Sequence, residues 1–155
     1  MAKANIDHSA SETLRPYAIL LEKLRVAGLR PTRQRLALAR LLFGEGDERH
    51  VTAESLHEEA VNAGIKVSLA TVYNTLHQFT EAGLLTELVV EPSRTYFDIN
   101  TKPHHHFYYA DTGRLQDVPA SAIDFSTFPN LPEGAALKQV HVIITLTNDP
   151  EADAA

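Results

Sequence analysis

The sequence contains no cysteine, and it has neither a long apolar run nor a net positive charge. Without cysteine, the protein can form no disulfide, no thiolate zinc site and no cysteine nucleophile. No apolar stretch approaches the roughly 20 residues of a membrane span, and nothing resembles a signal peptide. We therefore expect a cytoplasmic protein, and its 44% apolar content is ordinary for one or two small globular domains.

The formal net charge of −6 at pH 7 conceals an uneven distribution. Residues 15–40 hold seven basic side chains against one acidic side chain, whereas residues 91–155 hold four against nine. Attraction to phosphates depends on a local patch rather than on the total charge. The sequence therefore permits nucleic-acid binding in its first part and attraction of cations in its second.

Residues 67–85 have the pattern of a single amphipathic helix. Ser68 can accept a hydrogen bond from an amide of the first turn, and Gly83 can end the helix in a left-handed conformation. Apolar side chains recur along one face: Leu69, Val72, Leu76 and Phe79. The opposite face carries small or hydrogen-bonding side chains: Ala70, Thr71, Asn74 and Gln78, with Tyr73 and His77 at its margins. Such a face can read base edges in a DNA major groove, although an ordinary solvated helix face has the same pattern.

A β-hairpin is predicted directly after this helix, because two β-branched and apolar segments, 84–90 and 94–99, flank a turn at 91–93. Three further helices are predicted before the helix of residues 67–85, and two of them have capping threonines: Thr32 and Thr52. A capped helix followed by a hairpin is the arrangement of a winged helix. We therefore predict a winged-helix DNA-binding domain over residues 15–99, preceded by a flexible tail over residues 1–14.

Short strands and turns replace helices after residue 99, which predicts a small α/β domain over residues 100–147 and an acidic tail over residues 148–155. This domain is expected to contain a hairpin around a turn at 111–113, a helical turn over 121–125 and a strand over 139–146. About fifty residues with few large apolar side chains make a marginal core, for which association with a second copy is a usual remedy. DNA readers of this type also dimerise to match two half-sites. The expected fold class is α+β, and the expected assembly is a homodimer.

Three consecutive histidines, at 104–106, are the second informative stretch. On a strand, the first and third share a face while His105 points the other way. Two carboxylates and one further histidine can join that pair in a mixed site: His50, Asp98, His104, His106 and Asp117. Imidazole and carboxylate ligands suit Fe²⁺, Mn²⁺, Co²⁺ or Zn²⁺ rather than a thiophilic ion.

A second metal site would use His105 with Asp124 and His141. The alternatives are that the consecutive histidines are surface polar residues or an adventitious nickel patch, and that His141 is a hydrogen-bonded core histidine. A small hydrolytic metalloenzyme would need an open coordination position and a general base, and the sequence has no HExxH motif. A metal-storage protein would need neither the basic segment nor the hairpin.

The sequence resembles the ferric uptake regulator family over about residues 24–146. The motifs that carry the resemblance are GLRPTRQR (28–35), HVTAESL (50–56), SLATVYNTLHQFTEAGL (68–84), YFD (96–98), HHH (104–106) and GRLQD (113–117). This ordered set is far more specific than an isolated HxH. The resemblance implies a metal-responsive DNA-binding regulator, mostly a repressor, with a winged helix, a dimerisation domain and an A·T-rich palindromic operator.

The resemblance also implies roles for individual residues. The regulatory ion would lie between the domains on the five His and Asp ligands named above, and the second ion on His105, Asp124 and His141, with Pro103 at the place of a further histidine. DNA would be contacted by Tyr73 and its neighbours on the helix, and by a basic residue before it: Ser68, Ala70, Thr71, Asn74 and Arg30. Tyr109 and Thr112 replace a cysteine pair of many members, so a four-cysteine structural zinc site is excluded.

The wording of the motifs is closest to the iron response regulator branch of the family. Members of that branch respond to haem as well as to iron, and some carry an N-terminal Cys-Pro motif that this sequence lacks. Haem iron would therefore have a histidine as its axial ligand here, with His104, His105 and His106 as the candidates. The nearest alternative is the family's peroxide sensor, in which a His/Asp iron site activates peroxide.

Overall fold

The computed structural model describes residues 8–44, 46 and 48–148, which form two compact units that divide between Thr101 and Lys102. The first unit contains α1 (His8–Val26), α2 (Arg33–Phe43), β1 (His50–Val51), α3 (Ala53–Asn62), α4 (Leu69–Glu81), β2 (Thr86–Glu91) and β3 (Arg94–Asp98). The second contains β4 (His104–Tyr109), β5 (Arg114–Pro119), a short 3₁₀ helix (Ala120–Ala122) and β6 (Ile143–Leu146). The predicted α+β fold is confirmed. None of the described helices is long and apolar enough to cross a membrane.

Three helices of the first unit, α2, α3 and α4, begin directly after the predicted capping residues. Thr32 Oγ1 accepts the backbone N–H of Arg35 at 3.2 Å, and Ser68 Oγ accepts that of Thr71 at 3.1 Å. At Thr52 the cap is reciprocal, because its side chain and that of Ser55 each accept the other residue's backbone N–H. Each cap satisfies an amide that the helix itself leaves unpaired, and is worth about 1 kcal/mol.

The apolar face of α4 lies in the core of the first unit. Val72, Leu76 and Phe79 are fully buried there, as their spacing predicts, while Leu69 is half-buried at the edge. Burial of each large apolar side chain stabilises the fold by about 1.5–3 kcal/mol. Gly83 ends the helix with a φ of +77°, a conformation that costs glycine little. The core therefore fixes which face of α4 remains exposed.

The first unit has a three-stranded antiparallel sheet in the order β1–β3–β2. The hairpin of β2 and β3 was predicted, but β1 was not, because residues 44–49 read as a loop running into the cap of α3. The register pairs His50 with Asp98 and Val51 with Phe97. A strand of two residues is too short to show the alternating pattern by which strands are predicted. This strand nevertheless places the two predicted metal ligands of this unit directly opposite each other.

The second unit has a three-stranded sheet in the order β5–β4–β6, with β5 antiparallel and β6 parallel to β4. The predicted helical turn over 121–125 is instead a 3₁₀ helix over Ala120–Ala122. The last strand begins at Ile143, later than the predicted 139. The backbone N–H of His106 nevertheless bonds to the carbonyl of Val142 at 3.1 Å, so the segment before β6 already lies beside β4.

The prediction of a flexible tail over residues 1–14 is wrong for residues 8–14, which form the first turns of α1. Pro16 lies inside this helix, although proline is usually tolerated only in a first turn. The good helix formers Ala10, Glu12 and Leu14 favour continuation of the helix before the proline. Residues 1–7 lie outside the described part of the chain, as does the predicted acidic tail except for Asn148, whose backbone N–H bonds to Asp111 Oδ2 at 2.6 Å.

Candidate metal centre and DNA-reading helix

In the first unit, two donor side chains face each other across β1 and β3. His50 Nε2 lies 3.3 Å from Asp98 Oδ2, and the side chains are 8% and 0% exposed. Asp98 Oδ1 also accepts the backbone N–H of Asn100 at 2.8 Å. Because a buried carboxylate requires a compensating partner, this pair is an environment that favours a cation.

In the second unit, three donor side chains converge on one face of the β4–β5 hairpin. The register pairs His106 with Asp117, and alternation along β4 places His104 on the same face. Asp117 Oδ1 lies 3.3 Å from His104 Nε2 and 3.2 Å from His106 Nε2, and the two Nε2 atoms are 3.0 Å apart. The three donor atoms lie within 4.8 Å of one another, as ligands of a single ion must.

The other nitrogen of each imidazole on this face has a partner of its own. His104 Nδ1 lies 2.6 Å from the carbonyl oxygen of Lys102, and His106 Nδ1 lies 2.9 Å from His141 Nε2. A histidine that binds metal through one nitrogen usually donates a hydrogen bond from the other, which holds the ring in place. Nε2, the nitrogen that faces Asp117 Oδ1 in both rings, is therefore the atom through which each histidine would bind an ion.

The chemistry of these donor sets fits a divalent cation. The donors are imidazole nitrogens and carboxylate oxygens, and the chain has no cysteine. Nitrogen and oxygen ligands suit Fe²⁺, Mn²⁺ and Zn²⁺, which satisfies the sequence-based prediction of the metal class. The buried Asp98, which is 0% exposed, supplies negative charge that such an ion would neutralise.

Two of the three residues of the predicted second site are neighbours, because the rings of His105 and His141 stack with their centroids 6.4 Å apart, and each residue also has a hydrogen-bond partner of its own. His105 Nδ1 accepts the backbone N–H of Val142 at 3.1 Å, while His141 Nε2 bonds to His106. Asp124 accepts the backbone N–H and the hydroxyl of Ser126, and these bonds hold the pKa of its carboxyl below the ordinary value. Within residues 8–44, 46 and 48–148, His105, Asp124 and His141 are not gathered into one donor set. The second site stays a prediction.

The exposed face of α4 carries the predicted DNA-contacting side chains. Ser68, Ala70 and Asn74 are exposed, and Thr71 and Tyr73 are half-buried. The hydroxyl of Tyr73 donates to Glu54 Oε1, on the first turn of α3, at 2.7 Å. This bond lowers the pKa of Glu54 and raises the pKa of Tyr73. The sequence contains no signal for this contact, because the partners are 19 residues apart on different helices.

Arg35 links α2 to α4. Its Nε and Nη2 atoms donate to Gln78 Oε1 at 3.2 and 2.8 Å, and its Nη1 donates to the carbonyl of Arg30 at 2.8 Å. This arginine therefore orients the helix and the loop before α2, whereas the side chain of Arg30 is exposed. The basic segment thus contains a guanidinium group that joins two helices, on Arg35, and an exposed one, on Arg30.

Comparison with known proteins gives consistent matches. Residues 26–144 match the ferric uptake regulator family. A ferric uptake regulation protein of Shigella flexneri is 35% identical over 102 residues, covering 65% of this chain and 68% of that protein. A peroxide-responsive repressor, PerR, of Staphylococcus epidermidis is 32% identical over 120 residues, covering 77% and 74%. The solved structure of a ferric uptake regulator from Pseudomonas aeruginosa with manganese is 28% identical, with a TM-score of 0.65, and covers 82% of this chain and 96% of that one.

Proposed function

Because this chain belongs to the ferric uptake regulator family, whose members are metal-responsive transcription regulators and not enzymes, we propose that it is a metal- and haem-responsive DNA-binding regulator of iron and haem homeostasis genes. It acts mostly as a repressor and as a homodimer, in the cytoplasm, where it meets its DNA. The observation that carries the proposal is that the donor side chains of both units are all histidine and aspartate. Each of these histidines already lies next to an aspartate oxygen.

In this proposal, a single regulatory Fe²⁺ or Mn²⁺ ion binds both donor sets, and Zn²⁺ also fits. Its ligands are His50, Asp98, His104, His106 and Asp117. An ion shared by the two units would favour one arrangement of the DNA-binding domains in the dimer over others. Only a particular spacing of the two α4 helices matches the successive half-sites of a palindrome, so metal binding would control operator affinity.

The proposed DNA contacts divide into those for affinity and those for specificity. Basic side chains of residues 15–40, Arg30 among them, would contact phosphates and make binding strongly dependent on salt. Uncharged side chains on the exposed face of α4 would read the bases of an A·T-rich palindrome: Ser68, Ala70, Thr71, Tyr73 and Asn74. Support comes from the fixed orientation of α4, whose opposite face is buried in the core.

The haem response rests on the resemblance to the iron response regulator branch. The candidates for axial ligation of haem iron are His104, His105 and His106. Two of these are also proposed ligands of the regulatory ion, so ligation of haem iron would withdraw them from it and release the operator. His105 is 4% exposed and its Nδ1 accepts the Val142 N–H, so it would have to leave its present contacts to take part.

A peroxide-sensing iron or manganese regulator is the second candidate function. The observation that favours it is the 32% identity to a peroxide-responsive repressor over 77% of this chain, together with the cysteine-free His and Asp donor set. In that case, oxidation of a ligating histidine would replace haem ligation as the event that releases DNA.

A titration of a family-type operator tests these proposals, using apo protein, protein with Mn²⁺, and protein with Mn²⁺ plus haem, against a scrambled duplex of equal length. We expect specific binding with Mn²⁺ that haem abolishes, together with a Soret band that weakens when histidines 104–106 are replaced by alanine. Binding that is indifferent to haem but lost after peroxide treatment of the Fe²⁺ form would establish the peroxide sensor instead. Absence of specific binding under every condition would refute a regulatory role and would favour the alternative function of a small His/Asp metalloenzyme.

A further inference from the structure

One histidine outside the proposed ligand set contacts a ligand directly. His141 Nε2 lies 2.9 Å from His106 Nδ1, with the rings edge to face at 5.1 Å between centroids and an interplanar angle of 70°. The segment that carries His141 is held beside β4 by two further bonds, from Val142 N–H to His105 Nδ1 and from His106 N–H to the Val142 carbonyl. The contact between the two imidazoles is therefore part of an ordered strand pairing.

The direction of this hydrogen bond follows from the role of His106. Its Nε2 faces Asp117 Oδ1 at 3.2 Å and His104 Nε2 at 3.0 Å, and a metal ligand must offer a lone pair there. A neutral imidazole has a single N–H, which must then be on Nδ1. With an ion bound to Nε2, His106 Nδ1–H would donate to His141 Nε2, and His141 would carry its own proton on Nδ1.

We propose that His141 is a positioning residue for the regulatory metal site: it fixes the tautomer and the ring orientation of the ligand His106. This inference rests on the proposed metal-binding function. His106 is 1% exposed, so without His141 its buried Nδ1–H would lack this acceptor. The neighbouring ligand His104 uses a main-chain acceptor, the carbonyl of Lys102, for the same purpose.

The present contacts of His141 compete with its role as ligand of a second ion. Its Nε2 is hydrogen-bonded to His106 Nδ1, so coordination of an ion through Nε2 would break that bond. His105 has its Nδ1 lone pair on the Val142 N–H, and ligation through its Nε2 would move the proton to Nδ1, against that N–H. A positioning role for His141 therefore keeps both of these hydrogen bonds, whereas a second ion bound by these histidines would break them.

The test is Mn²⁺ binding to the full chain, with affinity and stoichiometry measured from the electron paramagnetic resonance signal of free Mn²⁺. In His141→Phe the apolar ring excludes water and accepts no hydrogen bond, so we expect Mn²⁺ affinity to fall by about 10–100-fold at unchanged stoichiometry. In His141→Gln the amide oxygen can take the place of Nε2 and should restore most of the affinity. His57→Phe is the matched control, since His57 Nε2 bonds at 3.1 Å to the carbonyl of Val67, away from the ligands.

A second measurement needs no variant: the ¹⁵N imidazole spectrum of the wild-type protein loaded with diamagnetic Zn²⁺ should show His106 protonated on Nδ1. An Nε2-protonated His106, or wild-type affinity in His141→Phe, would overturn the inference. Loss of one of two bound equivalents in His141→Phe would also overturn it, in favour of the second metal site. Wild-type protein that binds no Mn²⁺ would refute the proposed function itself, an outcome distinct from wild-type binding that the variants leave unchanged.

Discussion

Replacement of Asp98 by asparagine tests the proposed metal site with little disturbance of the fold. The carboxylate is 0% exposed, and its Oδ1 accepts the backbone N–H of Asn100 at 2.8 Å. A carboxamide oxygen can accept the same bond, so the variant keeps this contact while it loses the negative charge that attracts a divalent cation. Asp98→Ala would instead leave that N–H without its acceptor, at a cost of about 1–3 kcal/mol in unfolding free energy.

The size of the effect can be worked out by linkage. Loss of a hydrogen-bond partner of a ligand weakens metal binding by about 10–100-fold, so loss of a charged ligand should weaken it by at least about 100-fold. At a free Mn²⁺ concentration of about 100 times the wild-type Kd, the ion stabilises the wild type by about 2.7 kcal/mol but Asp98→Asn by only about 0.4 kcal/mol. For a chain of this size, the Mn²⁺-induced rise in Tm should fall from about 5–11 °C to about 1–2 °C.

The assay is thermal unfolding followed by circular dichroism, with and without Mn²⁺. Asp111→Asn is the matched control, because Asp111 also accepts a backbone N–H, that of Asn148 at 2.6 Å, but lies outside the donor set. The control should keep the full Mn²⁺-induced rise. An equal rise in Asp98→Asn and the wild type would refute the assignment of Asp98 as a ligand.

Four further predictions concern the first unit. Glu54→Gln removes a negative charge from the proposed DNA-binding face, so operator affinity should rise about two- to fivefold in an electrophoretic mobility assay, whereas a fall would contradict the placement of this face. The Tyr73 hydrogen bond lowers the pKa of Glu54, so at pH values above the ordinary pKa of 4.5 this contact should give the wild type a higher free energy of unfolding than Glu54→Gln. In an acid unfolding series, this difference should disappear as the pH falls below 4.5. Thr52→Ala removes the reciprocal cap of α3 and should lower the free energy of unfolding by about 1 kcal/mol in urea, an effect that Thr52→Ser should largely avoid. Phe79→Ala should cost about 3–5 kcal/mol, and a loss below 1 kcal/mol would mean that Phe79 is not in a closed core.

The local parts of the fold could be predicted from the sequence because their signals are local. Ser and Thr residues before an apolar periodic segment predicted three helix starts, and all three caps are present. The start of α1 was missed because residues 1–14 are polar and show no apolar periodicity. The two residues of β1 were missed for a related reason, since their pairing with β3 depends on a tertiary contact rather than on alternation.

The same distinction applies to the candidate metal centre. Alternation along β4 predicted that His104 and His106 share a face and that Asp117 lies across the hairpin, and the structure confirms this geometry. The contact of His141 with His106 could not be predicted, because the two residues are 35 apart in sequence and meet only through the parallel pairing of β6 with β4. A histidine inside an apolar strand suggested only a core residue or a ligand, and gave no indication that it supports another histidine.

In the first unit, β3 links the proposed ligand Asp98 to α4, the proposed DNA-contacting helix. Phe97 directly precedes Asp98 on β3, and it is fully buried in the core beneath α4. The ring of Phe97 meets that of His77 edge to face at 5.7 Å, and His77 in turn stacks on Tyr73 at 6.5 Å. Because packed side chains transmit displacement to their neighbours, an ion that fixes the end of β3 would restrain α4 without touching it. The proposed metal control of DNA binding would therefore require no direct contact between the ion and α4.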